Sequence, residues 1–280
     1  MNARSLYRLT GKDVLAFLQG LVTNDVLPLG KGPGIVWTAL LTPQGKYLAD
    51  FFVVNTGSDL VLDLPSGLAE ATVKRLSMYR LRADVQIAPL ALSVIRGLGA
   101  APPGALPDPR HPALGWRAYG AAGPEAEVDW DAIRVAHAIP ESGVELIPEE
   151  TFILEAGFEA LHGVNFRKGC YVGQEVTARM KHKTELRKGL TVVAIEGAAP
   201  VGTPILAEGR DVGRLFTQSG TRALAHLRLD QAQGDMRAGA ARIRRIPPPA
   251  PPPAPPAEPP QATGGGPSGD RSDAGKSSAE

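Results

Sequence analysis

The chain has 280 residues with almost balanced charge, 30 Lys and Arg against 29 Asp and Glu, for a formal net charge of +1. Hydrophobic residues make up 43% and charged residues 21% of the sequence, which is typical of a globular protein with buried cores. The charge balance excludes binding to nucleic acid or membranes driven by whole-chain charge. Because Cys170 is the single cysteine, an intrachain disulfide and a metal or Fe–S site built from several cysteines of one chain are also excluded.

The first half of the sequence predicts a helix, a β-meander, a second helix and further strands. Apolar residues at helical spacing begin after Lys12, where Thr10 or Asp13 can cap a helix. A second helix, capped by Ser66, is expected to run to about Leu81. Strands separated by turns are predicted at 35–41, 47–55, 60–64, 85–95 and 116–119, with a Gly- and Pro-rich loop at 97–112.

The second half predicts short helices followed by a small β-domain. Helices are expected from Trp130 to about Ala138, over 151–158, and from Gly173 to about His182. From Gly189 the pattern changes to short apolar runs separated by Gly and Pro, which indicates a small antiparallel barrel or sandwich. Residues 247–280 are rich in Pro, Gly and Ser and are predicted to be disordered.

No segment has the features of a secretory signal, and no apolar run is long enough to span a bilayer. A cytoplasmic protein that does not contact membranes is therefore expected. A lone cysteine fits a reducing compartment.

The candidate functional residue is Cys170, which stands between Gly169 and Gly173 just before a predicted helix N-terminus. Glycines permit sharp turns and close approach by a ligand. The helix dipole and the cation of Lys168 favour a thiolate. Such a thiol can serve as a nucleophile, a redox sensor or one ligand of a metal cluster, and the alternative is a buried apolar cysteine.

Neighbouring residues allow both functional and structural interpretations. Glu175 and Arg179 are four positions apart on the predicted helix, where they can pair on the surface or face an acidic heterocycle. Trp130 can stack on a flat ring or belong to the core. The basic run over 179–188 is a solvated face or a contact for RNA phosphates or an acidic carrier protein. No metal site is expected, because the five histidines lack metal-ligand spacing.

The segment Lys168-Gly169-Cys170-Tyr171-Val172-Gly173-Gln174-Glu175, continued by Ala178-Arg179, resembles the K-G-C-Y-x-G-Q-E-x-x-A-R signature of the YgfZ family. These are folate-binding proteins related to the glycine cleavage T-protein and linked to Fe–S cluster assembly and repair. Residues 11–26, 41–46, 79–85 and 139–141 also resemble family segments, and they occur in the same order. The resemblance covers roughly residues 5–230.

The resemblance implies an α+β, three-lobed T-protein-like fold with a ferredoxin-like lobe and a small C-terminal β-barrel. Residues 1–43 and 130–188 would form a split folate-binding core lobe, and 44–129 the inserted ferredoxin-like lobe. Residues 189–246 would form a barrel lobe, short enough to be incomplete, followed by the tail at 247–280.

The resemblance also implies that tetrahydrofolate, or a derivative, binds in a central channel. Cys170 would be the catalytic thiol. The expected folate-binding residues carried over from the motif are Lys168, Tyr171, Gln174, Glu175 and Arg179, joined by Trp130, Asn24 and Asp25. The expected partners are Fe–S assembly or client proteins, including tRNA-methylthiolating enzymes. A monomer that does not bind nucleic acid directly is expected.

Two other functions remain open at this point. The first is a folate-dependent aminomethyltransferase or demethylase, although the R-x-S-Y-T-G-E type of motif found in T-proteins is absent. The second is a non-catalytic interaction scaffold that docks through Lys181 and Lys183. The sequence leaves open whether the protein is an enzyme.

Overall fold

The computed structural model describes residues 3–120, 127–182 and 186–246. Residues 1–246 group into one compact unit. The tail predicted at 247–280 lies outside the described residues. Within those ranges, no helix has the length and apolar character needed to cross a bilayer.

The elements are fourteen strands and four α-helices within the described residues. The first nine in chain order are β1 (Arg4–Thr10), α1 (Val14–Gln19), β2 (Gly34–Leu41), β3 (Tyr47–Asn55), β4 (Leu60–Pro65), α2 (Ser66–Tyr79), β5 (Gln86–Pro89), β6 (Val94–Gly97) and β7 (Leu106–Pro107). The others are β8 (Trp116–Tyr119), α3 (Trp130–Ala136), α4 (Gln174–His182), β9 (Lys188–Glu196), β10 (Pro204–Ala207), β11 (Arg210–Ser219), β12 (Arg222–Arg228), β13 (Met236–Ala238) and β14 (Ala241–Arg245).

A five-stranded antiparallel sheet in the order β2-β3-β4-β1-β5 forms the centre of the molecule. The predicted strands at 35–41, 47–55 and 60–64 are confirmed within one residue as β2, β3 and β4. Residue 43, where a lobe boundary was expected, lies in the turn between the paired strands β2 and β3. The division into three lobes stays a prediction. β1, which pairs with β4 and β5, has no counterpart among the predicted strands.

Each face of this sheet covers its own hydrophobic core. Successive side chains of a strand point to opposite faces, so Phe51 packs in one core with Leu18 of α1 and Leu76 of α2. Its neighbour Phe52 packs in the other core with Trp37. β3 is therefore a strand that is buried on both faces.

Three local predictions are wrong. Ser66 is the first residue of α2 and not its cap; its Oγ instead lies 2.8 Å from Ser5 Oγ of β1. The strand predicted over 85–95 is two strands, β5 in the central sheet and β6 in a three-stranded sheet with β8 and β7. The helix predicted over 151–158 is a series of turns, in which Ile153 and Phe158 are nonetheless buried in the core.

The C-terminal strands close into a six-stranded barrel in the order β10-β11-β12-β9-β14-β13. Its inward residues, including Val193, Leu215 and Ile243, form a separate core. The sequence left open whether this short barrel is complete; the structure shows that it is closed, because β13 fills the gap between β10 and β14. A three-residue strand gives too short a pattern to be recognised in the sequence.

Candidate functional site

The cysteine loop, residues 167–173, leads into α4 and presents Cys170 on the surface. Gly169 and Gly173 have φ values of +96° and +82°, which favour glycine. At Gly173 a Cβ would also lie 2.5 Å from the Thr42 carbonyl oxygen. The loop is therefore pressed against the turn between β2 and β3. The exposed thiol contradicts the alternative of a buried apolar cysteine.

Lys168 anchors this loop to the end of α1. Its Nζ donates hydrogen bonds to the carbonyl oxygens of Gln19, at 2.5 Å, and Val22, at 2.7 Å. The ammonium also lies 4.8 Å from the centre of the Tyr171 ring. Burial lowers the pKa of Lys168 to about 8, although the negative charges of Asp25 and Cys170 act in the opposite direction. A cation held by two carbonyl groups thus lies beside the exposed thiol.

Gln19, which is not among the predicted site residues, links three segments at this point. Its Nε2 donates to Asp25 Oδ1 at 3.1 Å and to the Lys168 carbonyl oxygen at 3.3 Å. Its Oε1 accepts from the Val26 backbone nitrogen at 3.1 Å. Gln19 lies in the 11–26 segment that resembles the family, but only the tertiary structure shows that it contacts the cysteine loop.

Asn24 and Asp25 lie near the loop, where their side chains support the backbone. Asn24 Nδ2 donates to the carbonyl oxygens of Trp37, at 2.8 Å, and His162, at 2.6 Å. Asp25 Oδ1 also accepts from the Leu27 backbone nitrogen at 3.2 Å. Asp25 therefore belongs to the group around Lys168, whereas Asn24 joins β2 to the turn at His162.

The other motif residues lie on or beside α4 in different surroundings. Tyr171 is buried in the core with Trp37 and Phe158, and burial raises the pKa of its hydroxyl although the Thr177 side chain opposes the shift. Gln174 is half-buried. Glu175 and Arg179 pair with each other at 2.9 Å on the exposed face of the helix. Lys181 pairs with Glu159, and Lys183 lies outside the described residues.

Trp130 lines a separate cavity of about 650 Å³ between α3 and the barrel. The Arg96 guanidinium lies 4.1 Å above its ring. Among the residues that the structure describes, the other charged and polar ones that line this cavity are Asp129, Asp131, Arg134, Glu141, Thr217 and Gln218. No described residue of the cysteine loop or α4 lines this cavity. The structure therefore does not bring Trp130 together with the motif residues.

Arg134 holds the wall of this cavity between α3 and the barrel. Its Nη2 donates to Glu145 Oε2 at 2.5 Å, and Glu145 Oε1 accepts from the Thr217 hydroxyl. Its Nε lies 3.7 Å from Glu141 Oε2 and has no hydrogen-bond acceptor among the described residues. Burying a guanidinium NH without an acceptor is unfavourable, and the nearest carboxylate to this buried atom is that of Glu141.

A second, small cavity of about 30 Å³ shares Arg96 and Glu141 with the Trp130 cavity. It reaches Asp50, whose carboxylate accepts hydrogen bonds from Trp37 Nε1, the Tyr47 hydroxyl and Ser142 Oγ. Three further arginines line it, Arg4, Arg110 and Arg117. These residues come from distant segments, so no local sequence pattern brings them together; among the motif segments only 139–141 lies in this region.

Comparison with solved structures identifies the fold. The crystal structure of glycine cleavage system aminomethyltransferase T from Bartonella henselae matches 86% of this chain and 81% of that chain, with a TM-score of 0.67 and 12% sequence identity. The predicted fold class is thereby confirmed as a T-protein-like α+β fold with a C-terminal β-barrel. In addition, residues 187–253 match the family described as CAF17, C-terminal beta-barrel domain.

Comparison with characterised proteins finds similar sequences among Fe–S cluster assembly factors. Iron-sulfur cluster assembly factor IBA57, mitochondrial, from Homo sapiens is 29% identical over 285 residues, covering 86% of this chain and 80% of the relative. The mouse protein of that name is also 29% identical, over 84% of this chain and 78% of the relative. A homologue from Mycosarcoma maydis is 29% identical over 80% of this chain, which spans only 63% of that relative.

These relatives overturn one prediction and support another. The expectation of a cytoplasmic protein is wrong, because the relatives are mitochondrial proteins by name. The predicted connection with Fe–S cluster assembly agrees with their names, and the fold agrees with that of an aminomethyltransferase. The chain is thus similar in sequence to Fe–S assembly factors and similar in fold to a T-protein.

Proposed function

We propose that this protein supports the assembly or repair of Fe–S clusters, and that the Cys170 thiolate is one ligand of a cluster that is shared with a partner protein. The observation that carries the proposal is the exposed thiol on a loop fixed at both ends by Lys168 and Gly173. The similarity to assembly factors gives the thiol its chemical context. The proposed clients include tRNA-methylthiolating enzymes.

The chemistry of the loop fits a shared cluster. Fe–S clusters are commonly held by four cysteine thiolates, and this chain has only Cys170. Any cluster at Cys170 therefore needs ligands from a partner, which requires a thiol that a partner can reach. The Lys168 ammonium supplies a positive charge beside the bound thiolate.

The test replaces the chromosomal gene with Cys170→Ser and measures the activities of Fe–S enzymes and tRNA methylthiolation under oxidative stress. We expect the losses to equal those of a gene deletion, with normal protein abundance. The control is Gln233→Ala, an exposed position on the barrel, which should retain full function. Normal Fe–S enzyme activities in the Cys170→Ser strain would refute the role of the thiol, and normal activities in the deletion strain would refute the function itself.

We also propose tetrahydrofolate as the ligand of the Trp130 cavity. The fit rests on the charged residues of the lining: Glu141 suits the N–H edge of a pterin, and Arg96 and Arg134 supply positive charge for a carboxylate of the glutamate tail. The volume of about 650 Å³ lies within the usual range for small-molecule sites. Arg96 covers one face of Trp130, so a ring would stack on the opposite face or displace this guanidinium. When bound, folate would supply one-carbon chemistry.

Titration with reduced tetrahydrofolate under anaerobic conditions, followed by tryptophan fluorescence, tests this ligand. Saturable quenching is expected in the wild-type protein and in Cys170→Ser, since the thiol is outside the cavity. Trp130→Leu should bind at least tenfold more weakly. If the wild-type protein shows no saturable signal and no heat of binding by calorimetry, the folate proposal fails while the cluster proposal stands.

A further inference from the structure

The last turn of α2 and the residues that follow it form an exposed apolar patch that has no role in the proposed function. All six residues at 77–82 are exposed. Leu81 is 90% exposed, Met78 is 62% exposed and Tyr79 is 37% exposed. Together with Lys74 and Arg75 these residues are named the Leu81 patch. A leucine with so little contact contributes almost nothing to the hydrophobic core.

The backbone at Leu81 is also strained. Its φ of +43° lies in the left-handed region, where a leucine is unfavourable and glycine is the usual residue. The strain is held by the hydrogen bonds on either side, including Arg80 Nη1 to the Val85 carbonyl oxygen at 3.2 Å. The folded chain thus keeps Leu81 in an unfavourable backbone conformation and leaves its apolar side chain exposed to water. A binding partner that covers Leu81 would compensate for both.

The charge of the patch indicates the chemistry of this partner. Four cations surround the apolar residues, Lys74, Arg75, Arg80 and Arg82. Within the part of the chain that the structure describes, none of the four has an ion-pair partner. Arginine, methionine and tyrosine are enriched in protein–protein interfaces. The patch has this composition, with a complementary acidic surface as the natural counterpart.

The patch is connected to the cysteine loop through α1. Asp84, just after the patch, donates its backbone N–H to Asp13 Oδ2 at 2.9 Å, at the start of α1. At the other end of this six-residue helix, Gln19 contacts Lys168. Six helical residues span about 9 Å. The segment after the patch and the cysteine loop therefore contact opposite ends of the same short helix.

We propose that the Leu81 patch is the docking site for an acidic protein, and that the Leu81 side chain enters an apolar pocket of this protein. A membrane surface fits less well, because the exposed side of α2 carries Glu70 and Lys74 and only the last turn is apolar. A nucleic acid fits less well because Tyr79 is the one aromatic ring of the patch. Docking at this patch is independent of whether Cys170 binds a cluster.

The test begins with a photo-crosslinking amino acid at Ser77, in the full chain expressed in its own cells. The crosslinked protein is then identified, purified and titrated against the wild-type chain and its variants. We expect an acidic protein whose affinity falls at least tenfold with Leu81→Asp. The double variant Arg80→Glu/Arg82→Glu should bind at least tenfold more weakly and with a smaller dependence on salt. The control Leu206→Asp, at a barrel leucine that is 43% exposed, should bind as the wild type does.

Leu81→Gly separates docking from folding. Glycine relieves the backbone strain, so the melting temperature should rise by roughly 2–4 °C while partner affinity falls. A structural role for Leu81 would instead lower the melting temperature. Cys170→Ser should bind the partner normally, so failure of the cluster proposal would leave this result intact. The docking proposal is overturned if Ser77 yields no protein adduct, if the adduct is nucleic acid, lipid or a second copy of the chain, or if Leu81→Asp binds within twofold of wild type.

Discussion

Lys168 Nζ donates a 2.7 Å hydrogen bond to the carbonyl oxygen of Val22, which lies 146 positions earlier in the chain. This contact joins the cysteine loop to the turn that follows α1. Because the same ammonium also bonds to Gln19, the loop is held by two carbonyl groups and not by side-chain packing alone. The position of the thiol therefore depends on a lysine that is only half-buried.

Lys168 should make the stability of the protein depend on pH in the alkaline range. Its pKa is about 8 in the folded protein because burial disfavours the charge, against 10.5 for an ordinary lysine. Between these values the unfolded chain binds more protons than the folded one, so stability rises with pH. The gain should be about 1 kcal/mol after allowance for partial exposure. Urea unfolding at pH 7.5 and pH 10 measures it, and Lys168→Met should remove this part of the increase. An identical pH dependence in the two proteins would contradict the assignment.

Asp63 should be the most sensitive buried carboxylate of the central sheet. It accepts from Arg4 Nε at 2.6 Å, Arg117 Nη2 at 2.7 Å and the Tyr119 hydroxyl at 2.8 Å. Asp63→Asn removes the counter-charge of Arg4 and leaves Arg117 with only Asp108, at 3.7 Å, so it should destabilise the fold by about 3–5 kcal/mol. Denaturant titration measures the loss. The control is Asp59→Asn, at a partly exposed residue that pairs with Arg8; it should change stability by less than about 1 kcal/mol.

The same carboxylate predicts a loss of stability in acid. Burial alone would raise the pKa of Asp63, but the charges of Arg4 and Arg117 outweigh it and hold the pKa below its usual range. A lowered pKa stabilises the folded state above the unfolded value of about 3.9, and this contribution is lost as pH falls further through the folded value. Melting curves from pH 6 to pH 2 should show a steeper decline for the wild type than for Asp63→Asn. Parallel declines would contradict this.

The two glycines of the cysteine loop should respond differently to alanine. At Gly173 a Cβ would meet the Thr42 carbonyl oxygen at 2.5 Å in addition to the strain of a positive φ, whereas at Gly169 no heavy atom lies within 4 Å. Gly173→Ala should therefore destabilise the protein by about 2–4 kcal/mol, and Gly169→Ala by about 1–2 kcal/mol. Denaturant unfolding of both variants checks the order. Equal losses would mean that the loop moves away from the β2–β3 turn at no cost.

The Glu175–Arg179 pair should contribute little to stability. Both side chains are largely exposed, 85% for Glu175 and 66% for Arg179, and solvent screens such pairs. Arg179→Ala should change the free energy of unfolding by less than about 0.5 kcal/mol. A double-mutant cycle with Glu175→Ala measures the coupling. If Arg179→Ala impairs Fe–S enzyme activities in cells while stability is unchanged, its role is in binding and not in folding.

The sequence by itself determined the elements whose signal is local. The apolar β2 and β3 flank a Pro- and Gly-containing turn, and α4 follows a glycine, so neighbouring residues define each of them. The cysteine between glycines was also recognisable in this way, although the sequence left open whether its thiol is exposed or buried. Position 158 shows the limit: an apolar pattern suggested a helix over 151–158, but Phe158 is buried in a turn because it stacks on Trp37 at 4.2 Å.

Only the tertiary structure decided which distant segments meet. β1 became an interior strand of the sheet because β4 and β5 pair with its two edges, and β13 closed the barrel although three residues give no readable pattern. Trp130 was separated from Cys170 because α3 packs on the barrel strands while the cysteine loop packs on α1 and the β2–β3 turn. Gln19 and Arg96 act through contacts with remote residues. Such contacts depend on how sheets and helices pack, and no local sequence pattern specifies them.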